Sequence, residues 1–216
     1  MSRISSRSRR VSLVLVLTAG LVGGLAPSLV SAQDTASDND MARRAIHVCA
    51  SCHGEGGRSQ KAEFPHLAGQ SAQYLSAQLK DFRAQQRSEG GTKAYMWGVS
   101  ALLDDKAIES LSEYYAAQTP APGRTSASPQ VLKLGRAIFE KGIPARNVRA
   151  CASCHGEQAE GAATFPRLAG QHAAYLQQQL QTFGTRLRPH GVLMKAEVAG
   201  MKPAEIKAVA AYLQSM

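Results

Sequence analysis

The sequence predicts an all-α protein built from two tandem domains related by duplication. Apolar residues recur at the three- and four-residue spacing of helices, and no segment shows a convincing strand-like alternation. Two motifs each occur once in either half of the chain, and a proline-rich segment separates the halves. Hydrophobic residues make up 44% and charged residues 19% of the 216 residues, which is typical of a globular protein and excludes wholesale disorder.

The N-terminus has the pattern of an export signal. Four arginines precede an apolar run over Val11–Leu25, which at 15 residues is shorter than the ~20 needed to cross a membrane. Pro27 ends the run, and the small residues of Val30–Ala32 suit a signal peptidase. We therefore predict a signal peptide over residues 1–32, cleaved before Gln33, with an uncleaved anchor as the alternative. Since no second apolar run of membrane length follows, the mature chain is expected outside the cytoplasm without a transmembrane segment.

Net charge gives only weak guidance about partners. The chain has 25 basic and 16 acidic residues, and removal of the four arginines in residues 1–32 leaves 21 against 16, a net charge of +5. This mildly basic balance does not indicate a nucleic-acid partner. The four cysteines are too few for a disulfide scaffold in a chain of this length.

The duplication is visible in two motifs. The segment Cys49–Glu55 recurs unchanged as Cys151–Glu157, and Phe64–Gln70 returns as Phe165–Gln171 with a single change. Over the 19 residues that begin at each of these two phenylalanines, 12 positions are identical. Two copies are too few for a solenoid, so the pattern favours duplication of one small domain.

The boundaries of the two domains follow from the segment between them. Residues 119–129 contain three prolines and a glycine, which is typical of a linker. We therefore predict one domain over residues 33–118 and a second over residues 130–216. Eleven linker residues span at most about 36–40 Å, so we expect the domains to meet as a pseudo-twofold pair.

Helical stripes occur at equivalent places in both halves. After the second motif, an apolar face is formed by Tyr74, Leu75, Leu79 and Phe82 in the first half and by Tyr175, Leu176, Leu180 and Phe183 in the second. Each half then ends in a helix, for which Asp104 is a suitable N-cap in the first half and Pro203 suits the first turn in the second.

The chemistry is indicated by Cys-x-x-Cys-His, the attachment signature of c-type haem. Residues three and four apart share a helix face, so Cys49 and Cys52 can both reach one porphyrin edge, while His53 can place a ring nitrogen on the iron. The second copy consists of Cys151, Cys154 and His155. The sequence therefore predicts two covalently attached haems.

Structural zinc, a redox dithiol and a disulfide are the competing interpretations of these cysteines. Zinc needs four ligands per site, whereas each half offers two cysteines and a few histidines. A thioredoxin-like dithiol needs a βαβ setting that the pattern lacks. Two identical motifs behind an export signal favour haem, because c-type haem is attached outside the cytoplasm.

A haem that carries electrons needs a sixth iron ligand. Met96 lies 43 residues after His53, and Met194 lies 39 residues after His155. Each methionine stands seven residues before the start of a terminal helix stretch. We predict that Met96 and Met194 ligate the iron.

His190 and Met201 are the alternatives to Met194 in the second half. An offset of 98 residues aligns Ile108 with Ile206 in the terminal helices. The same offset places Met96 on Met194, places a leucine on Met201 and leaves His190 without a ligating counterpart, so it favours Met194.

Together these motifs resemble the di-haem cytochromes of the cytochrome c4 family over essentially all of residues 40–216. The resemblance rests on the duplicated Cys-x-x-Cys-His, the Phe-Pro-x-Leu-Ala-Gly-Gln segments and the methionine before each terminal helix. It implies two tandem class I cytochrome c domains in the periplasm, each haem held by a histidine and a methionine. It also implies that the carbonyls of Pro65 and Pro166 accept hydrogen bonds from the ring N–H groups of His53 and His155.

The same resemblance implies an electron carrier and not an enzyme. The expected partners are redox complexes at the membrane surface, with electrons passing from a quinol-oxidising complex to a terminal oxidase or reductase. The alternative is the cytochrome subunit of a periplasmic dehydrogenase, such as a flavocytochrome sulfide dehydrogenase. A di-haem peroxidase would need an open haem face, whereas both halves supply a methionine.

The remaining histidines lack counterparts between the halves. His47 and His66 are not repeated in the second half, and His172 is not repeated in the first. We predict that all three are residues of the surface or of the cavity rim.

Overall fold

The computed structural model describes residues 31–88 and 93–216, so all but the last two residues of the predicted signal peptide lie outside the described residues. The first half contains the helices α1 (Ser31–His53), α2 (Ala72–Arg83), α3 (Lys93–Ala101) and α4 (Asp105–Ala116). The second contains α5 (Pro129–Lys141), α6 (Ala152–His155), α7 (Ala173–Phe183), α8 (Val192–Val198) and α9 (Pro203–Gln214).

The prediction of an all-α fold is confirmed. Within the described ranges, extended pairing is limited to two isolated bridges, one between Ile143 and Val148 and one between Ala162 and Phe165. None of the helices in this part of the chain is both long and apolar enough to cross a membrane.

Each half has its own hydrophobic core, built in the same way. In the first half, Ile108 and Leu111 of α4 pack with Leu75 of α2 and Ala42 of α1. In the second half the corresponding buried residues come from α5, α7 and α9, and they include Phe139, Leu176, Val209 and Leu213. The terminal helix therefore supplies the centre of each core, as its apolar stripe predicts.

The starts of the later helices are fixed by local side-chain chemistry. The carboxylate of Asp104 accepts a hydrogen bond from the backbone N–H of Ala107 at 2.7 Å, which caps α4 as predicted. Pro203 lies in the first turn of α9, where its missing N–H costs nothing. At the same end, Glu205 accepts from the backbone N–H of Lys202 at 2.7 Å.

The glycine of each Leu-Ala-Gly-Gln segment lets the linker pack against both halves. Gly69 and Gly170 have φ values of 66° and 75°, which residues with a Cβ rarely adopt. A Cβ added at Gly69 would lie 2.3 Å from the Pro120 ring, and one at Gly170 would lie 2.6 Å from the Ala121 carbonyl oxygen. The motif thus places a glycine at the point in each half where the linker lies too close to leave room for a Cβ.

The two halves meet through reciprocal hydrogen bonds between equivalent residues. The side chain of Gln70 donates to the carbonyl of Arg167 at 2.9 Å and accepts from the N–H of Arg167 at 2.7 Å. Gln171, its counterpart, donates to the carbonyl of His66 and accepts from the N–H of His66, both at 2.9 Å. This exchange gives the interface the predicted pseudo-twofold character.

The structure adds an interface contact to two of the three unmatched histidines, both of which are partly buried. His47 is exposed, as expected. His66 and His172, by contrast, stack between the halves with ring centroids 4.0 Å apart. The ring of His172 also donates to the carbonyl of Ser59 at 3.1 Å. Both rings therefore belong to the domain interface, which periodicity within one half cannot reveal.

Candidate haem-binding site

The two Cys-x-x-Cys-His motifs lie on helices in both halves, although the helices differ. In the first half the motif forms the C-terminal end of the long helix α1, whereas in the second it forms the short, separate helix α6 and the residue before it. None of the four motif cysteines forms a disulfide with another residue of the described chain, and both motif histidines are buried. In either setting, helical geometry gathers the two sulfurs and the ring on one face.

Both motif histidines are held by a backbone carbonyl. The Nδ1–H of His53 donates to the carbonyl of Pro65 at 2.9 Å, and that of His155 donates to the carbonyl of Pro166 at 3.0 Å. Each bond fixes the orientation of the ring and leaves Nε2 as the nitrogen able to ligate a metal. Burial lowers the pKa of His155, which favours the neutral ring that ligation requires.

Aromatic edges complete the support of these rings. Phe64 meets the ring of His53 edge-on with centroids 6.1 Å apart, and Phe165 meets His155 in the same way at 6.2 Å. In each half, the Phe-Pro pair that begins the Phe-Pro-x-Leu-Ala-Gly-Gln segment thus supplies an aromatic contact and a hydrogen-bond acceptor to the histidine of the Cys-x-x-Cys-His motif.

One continuous cavity of about 760 Å³ joins the two motifs. Its walls include every residue predicted at the sites: Cys49, Cys52, His53, Pro65, Met96, Cys151, Cys154, His155, Pro166 and Met194. A space of this size is far larger than a packing defect and falls in the range of ligand and cofactor pockets. The structure therefore brings together the residues that the sequence predicted, in two sets that share one space.

The alternative ligands of the second half are engaged elsewhere, although both border the cavity. The Nδ1 of His190 lies 2.8 Å from the carboxylate of Asp81 in the first half. Met201 packs against the hydrophobic core of the second half. Met194 lies on α8 and Met96 on α3, so the two methionines occupy equivalent helices.

A buried arginine provides a test of whether this cavity suits haem. Arg188 is 8% exposed and lines the cavity, and its guanidinium donates to Gln179 at 2.7 Å and to Gln78 at 2.6 Å. Within the described part of the chain, no carboxylate forms an ion pair with it. A buried cation without a counter-charge is costly, and the propionates of a haem supply that charge. The lining therefore fits a haem.

Sequence reasoning missed this arginine and its counterpart Arg87. Arg87 is also buried, and it donates to Tyr175 at 3.0 Å across the interface, while Arg188 donates to Tyr74 at 3.3 Å. The signal was present in the repeat, because each arginine lies five residues after the last phenylalanine of the duplicated segment.

Helical halves, paired motifs and one shared cavity define this chain as a di-haem c-type cytochrome. The family model described as cytochrome c matches residues 43–116 and 132–216. The chain is 37% identical over 179 residues to the cytochrome c4 of Thiocapsa roseopersicina, which covers 80% of this chain and 89% of that protein. It therefore belongs to the cytochrome c family and, within it, to the cytochrome c4 group, and it carries two covalently attached c-type haems.

Two further similarities bear on architecture and partners. The solved cytochrome c4 of Acidithiobacillus ferrooxidans superposes with a TM-score of 0.72 and 38% identity, covering 78% of this chain and 98% of that one. A protein of Stutzerimonas stutzeri described as a thiosulfate dehydrogenase electron acceptor is 35% identical over 210 residues, covering 90% of this chain and 94% of that protein. The tandem arrangement of two cytochrome c domains thus has a solved counterpart.

Proposed function

We propose that this protein is a periplasmic shuttle that passes single electrons from a quinol-oxidising complex to a terminal oxidase or reductase. The observation that carries the proposal is the single cavity shared by both motifs, because it gives electrons a route through one molecule. Bound haem iron supplies reversible one-electron chemistry. The chain contributes by holding each group rigidly and by excluding water from it.

In this proposal each set of side chains has a defined role. Cys49 and Cys52 form thioether bonds to the first haem, and His53 and Met96 ligate its iron. In the second half the corresponding residues are Cys151, Cys154, His155 and Met194. Pro65 and Pro166 orient the histidine rings through the observed hydrogen bonds. A methionine on each iron favours a higher potential than a second histidine would, which suits delivery to a terminal acceptor.

The charge of the chain divides unequally between the halves, which supports docking of two different partners. Residues 33–118 contain 9 basic and 11 acidic residues, whereas residues 119–216 contain 12 basic and 5 acidic residues. In the second half the exposed apolar side chains of Val192 and Leu193 lie beside Met194, and the exposed Lys195 follows it. An acidic partner surface is therefore expected to dock on the second half.

A second candidate function is service as the electron acceptor of a periplasmic dehydrogenase. The relative described as a thiosulfate dehydrogenase electron acceptor supports it, since the similarity extends over both halves. The electron chemistry is the same in both candidates, and the difference lies in the donor.

Purification of the exported protein from its native membrane and periplasm tests these candidates. We expect an intact mass that exceeds the polypeptide by two haems, and rapid oxidation of the reduced protein by membranes that contain the terminal oxidase. A stoichiometric dehydrogenase in the purified fraction would support the second candidate and contradict a free shuttle. Lys195→Glu should slow oxidation by membranes in a salt-dependent manner. Lys207→Glu, a matched charge reversal on α9, should change it much less.

A further inference from the structure

The two helices that carry Met96 and Met194 are lightly packed. The side chain of Tyr95 beside Met96 is 71% exposed, and that of Leu193 beside Met194 is 61% exposed. In α8 the buried residue is Val198. Short helices with few buried contacts open at a small cost in free energy, so polar contacts to the rest of the half decide how firmly each methionine is held.

In the first half such a contact is made by the indole of Trp97, which follows Met96 in α3. Its Nε1–H donates to the backbone carbonyl of Arg87 at 2.7 Å, and the ring is partly buried, which shields the bond from water. Arg87 lies in the turn after α2, where its own N–H donates to the carbonyl of Asp81 at 3.2 Å. The indole therefore tethers α3 to the end of α2.

In the second half the corresponding contact is an ion pair. The carboxylate of Glu197, three residues after Met194, accepts from the backbone N–H of Arg149 at 2.9 Å and from its Nε–H at 2.6 Å. The pair tethers α8 to the loop between α5 and α6, just before Cys151. The side chain of Arg149 is 63% exposed and that of Glu197 is 21% exposed, so water and salt reach the pair.

The repeat preserves neither tether. The 98-residue offset that aligns the terminal helices places Trp97 opposite Lys195, whose side chain is exposed, and places Glu197 opposite Val99. Because valine has no carboxylate, the ion pair of α8 has no equivalent on α3. The two halves therefore hold equivalent methionines by different chemistry, a neutral hydrogen bond in the first and a pair of charges in the second.

We propose that Trp97 and Glu197 are positioning residues that each control the release of one methionine, and that salt promotes release only in the second half. Movement of α3 away from the cavity breaks the bond of Trp97, and the same movement of α8 breaks the ion pair of Glu197. Salt screens an exposed ion pair but has little effect on a hydrogen bond between neutral groups. The proposal rests on the proposed ligation of the irons by Met96 and Met194.

Imidazole titration of the ferric holoprotein is the test, because imidazole takes the position that a released methionine leaves. Loss of the sulfur-to-iron charge-transfer band reports the release, and Met96→Ala and Met194→Ala identify the share of each haem. Trp97→Phe keeps an aromatic ring and removes the donor. We expect it to raise the apparent imidazole affinity of the first haem about fivefold, which is about 1 kcal/mol at 1.4 kcal/mol per tenfold, and to leave the second unchanged.

The second half should show the opposite selectivity and a response to salt. Glu197→Gln removes the charge and should raise the imidazole affinity of the second haem about twofold at low salt, with no change at the first. In the unmodified protein, an increase from about 0.05 M to about 0.5 M KCl should produce a similar rise at the second haem alone. Glu197→Gln should abolish this response to salt.

Each variant has a matched control. Tyr95→Phe alters an exposed ring on the other side of Met96, and Glu140→Gln removes an exposed ion pair with Arg136 within α5. Shifts confined to the expected haem, with both controls silent, support the proposal. An unchanged affinity in Trp97→Phe or in Glu197→Gln, equal shifts at both haems, or the same salt response at both haems overturns it.

Failure of the proposed function is distinguishable from failure of the tethers. Failure of the shuttle would appear in the exchange of electrons with membranes and would leave the imidazole titrations unaffected. Retention of both charge-transfer bands in Met96→Ala and Met194→Ala would refute the ligand assignment and overturn the tethers with it. Both bands present in the variants before imidazole is added verify that each variant folds around its haems.

Discussion

Gln70→Ala should weaken the contact between the two halves more than it disturbs the packing of the first half, to which Gln70 belongs. The amide of Gln70 makes two hydrogen bonds to the backbone of Arg167, one as donor at 2.9 Å and one as acceptor at 2.7 Å. Its side chain is 7% exposed, so water does not readily replace it. Truncation therefore leaves a backbone N–H and a carbonyl of the other half without their partners.

The magnitude follows from those two orphaned groups. A buried polar group that loses its partner costs about 1–3 kcal/mol, so two such groups give a loss of about 2–6 kcal/mol in the free energy of unfolding. Gln171→Ala should cost a similar amount, because its two bonds to His66 repeat the geometry. The double variant should cost less than the sum of the two, since both truncations weaken one interface.

Urea unfolding of the holoprotein measures these effects, and Gln73→Ala on the exposed face of α2 is the matched control. We expect the transition of Gln70→Ala to shift to lower urea and to broaden as the halves lose mutual support. A midpoint equal to that of Gln73→Ala would contradict the reasoning. Strict additivity of Gln70→Ala and Gln171→Ala would show that each glutamine stabilises its own half only.

Two further predictions concern the linker contact and the stacked histidines. Gly170→Ala should lower the free energy of unfolding by more than about 1–2 kcal/mol, because the φ of Gly170 is +75° and the new Cβ would meet the Ala121 carbonyl. Gly98→Ala is the control, because open space surrounds its Cβ, and it should be neutral or stabilising in the same urea titration. Burial and the nearby His172 lower the pKa of His66 from 6.5 to about 4, so the unfolded chain binds more protons between these values. The free energy of unfolding should therefore fall as the pH decreases from 6.5 toward 4, and His66→Gln should flatten this dependence. Equal pH profiles for the original protein and the variant would refute the lowered pKa of His66.

Much of the fold is predictable because its signals are local. Helical periodicity, the capping aspartate and the proline of α9 identify the terminal helices without reference to the other half. The spacing of the motif Cys49–His53 likewise defines a site within a single helical turn. The repeat then transfers each inference to the second half.

The interface was less predictable because it depends on how two folded units face each other. Gln70 and Gln171 were visible only as the last residue of a repeated motif, and their pairing with backbone of the opposite half has no periodic signature. The same holds for Arg87 and Arg188, whose burial results from the contact between halves. An arginine repeated at a fixed distance from an apolar stripe is the signal that could have found them.

The difference between α1 and α6 shows a further limit. The identical motif Cys-Ala-Ser-Cys-His ends a helix of 23 residues in the first half, whereas in the second half its last four residues form a separate short helix. In the second half α5 ends at Lys141, Gly142 follows with a φ of 67°, and a loop separates α5 from α6. The flanking residues therefore decide helix length, while the motif alone decides the arrangement of the cysteines and histidine.

The sixth ligand of the second haem can be argued from what each candidate already contacts. His190 is held at 2.8 Å by Asp81 of the other half, and ligation would break that contact. Met201 packs in the core, where the equivalent residue of the first half is Leu103, which is 5% exposed. Met194 lines the cavity on α8 in the same way that Met96 does on α3.

Met194→Ala should therefore remove the second haem's share of the ferric sulfur-to-iron charge-transfer band and lower its potential, because methionine ligation favours the ferrous state. The first haem should be nearly unaffected, since Met96 is retained. His190→Ala should leave both bands intact and change only the contact between halves. The assignment is wrong if His190→Ala removes the second haem's ligand signal while Met194→Ala is silent. Equal losses at both haems in Met194→Ala would instead show that the halves do not fold independently around their own ligands.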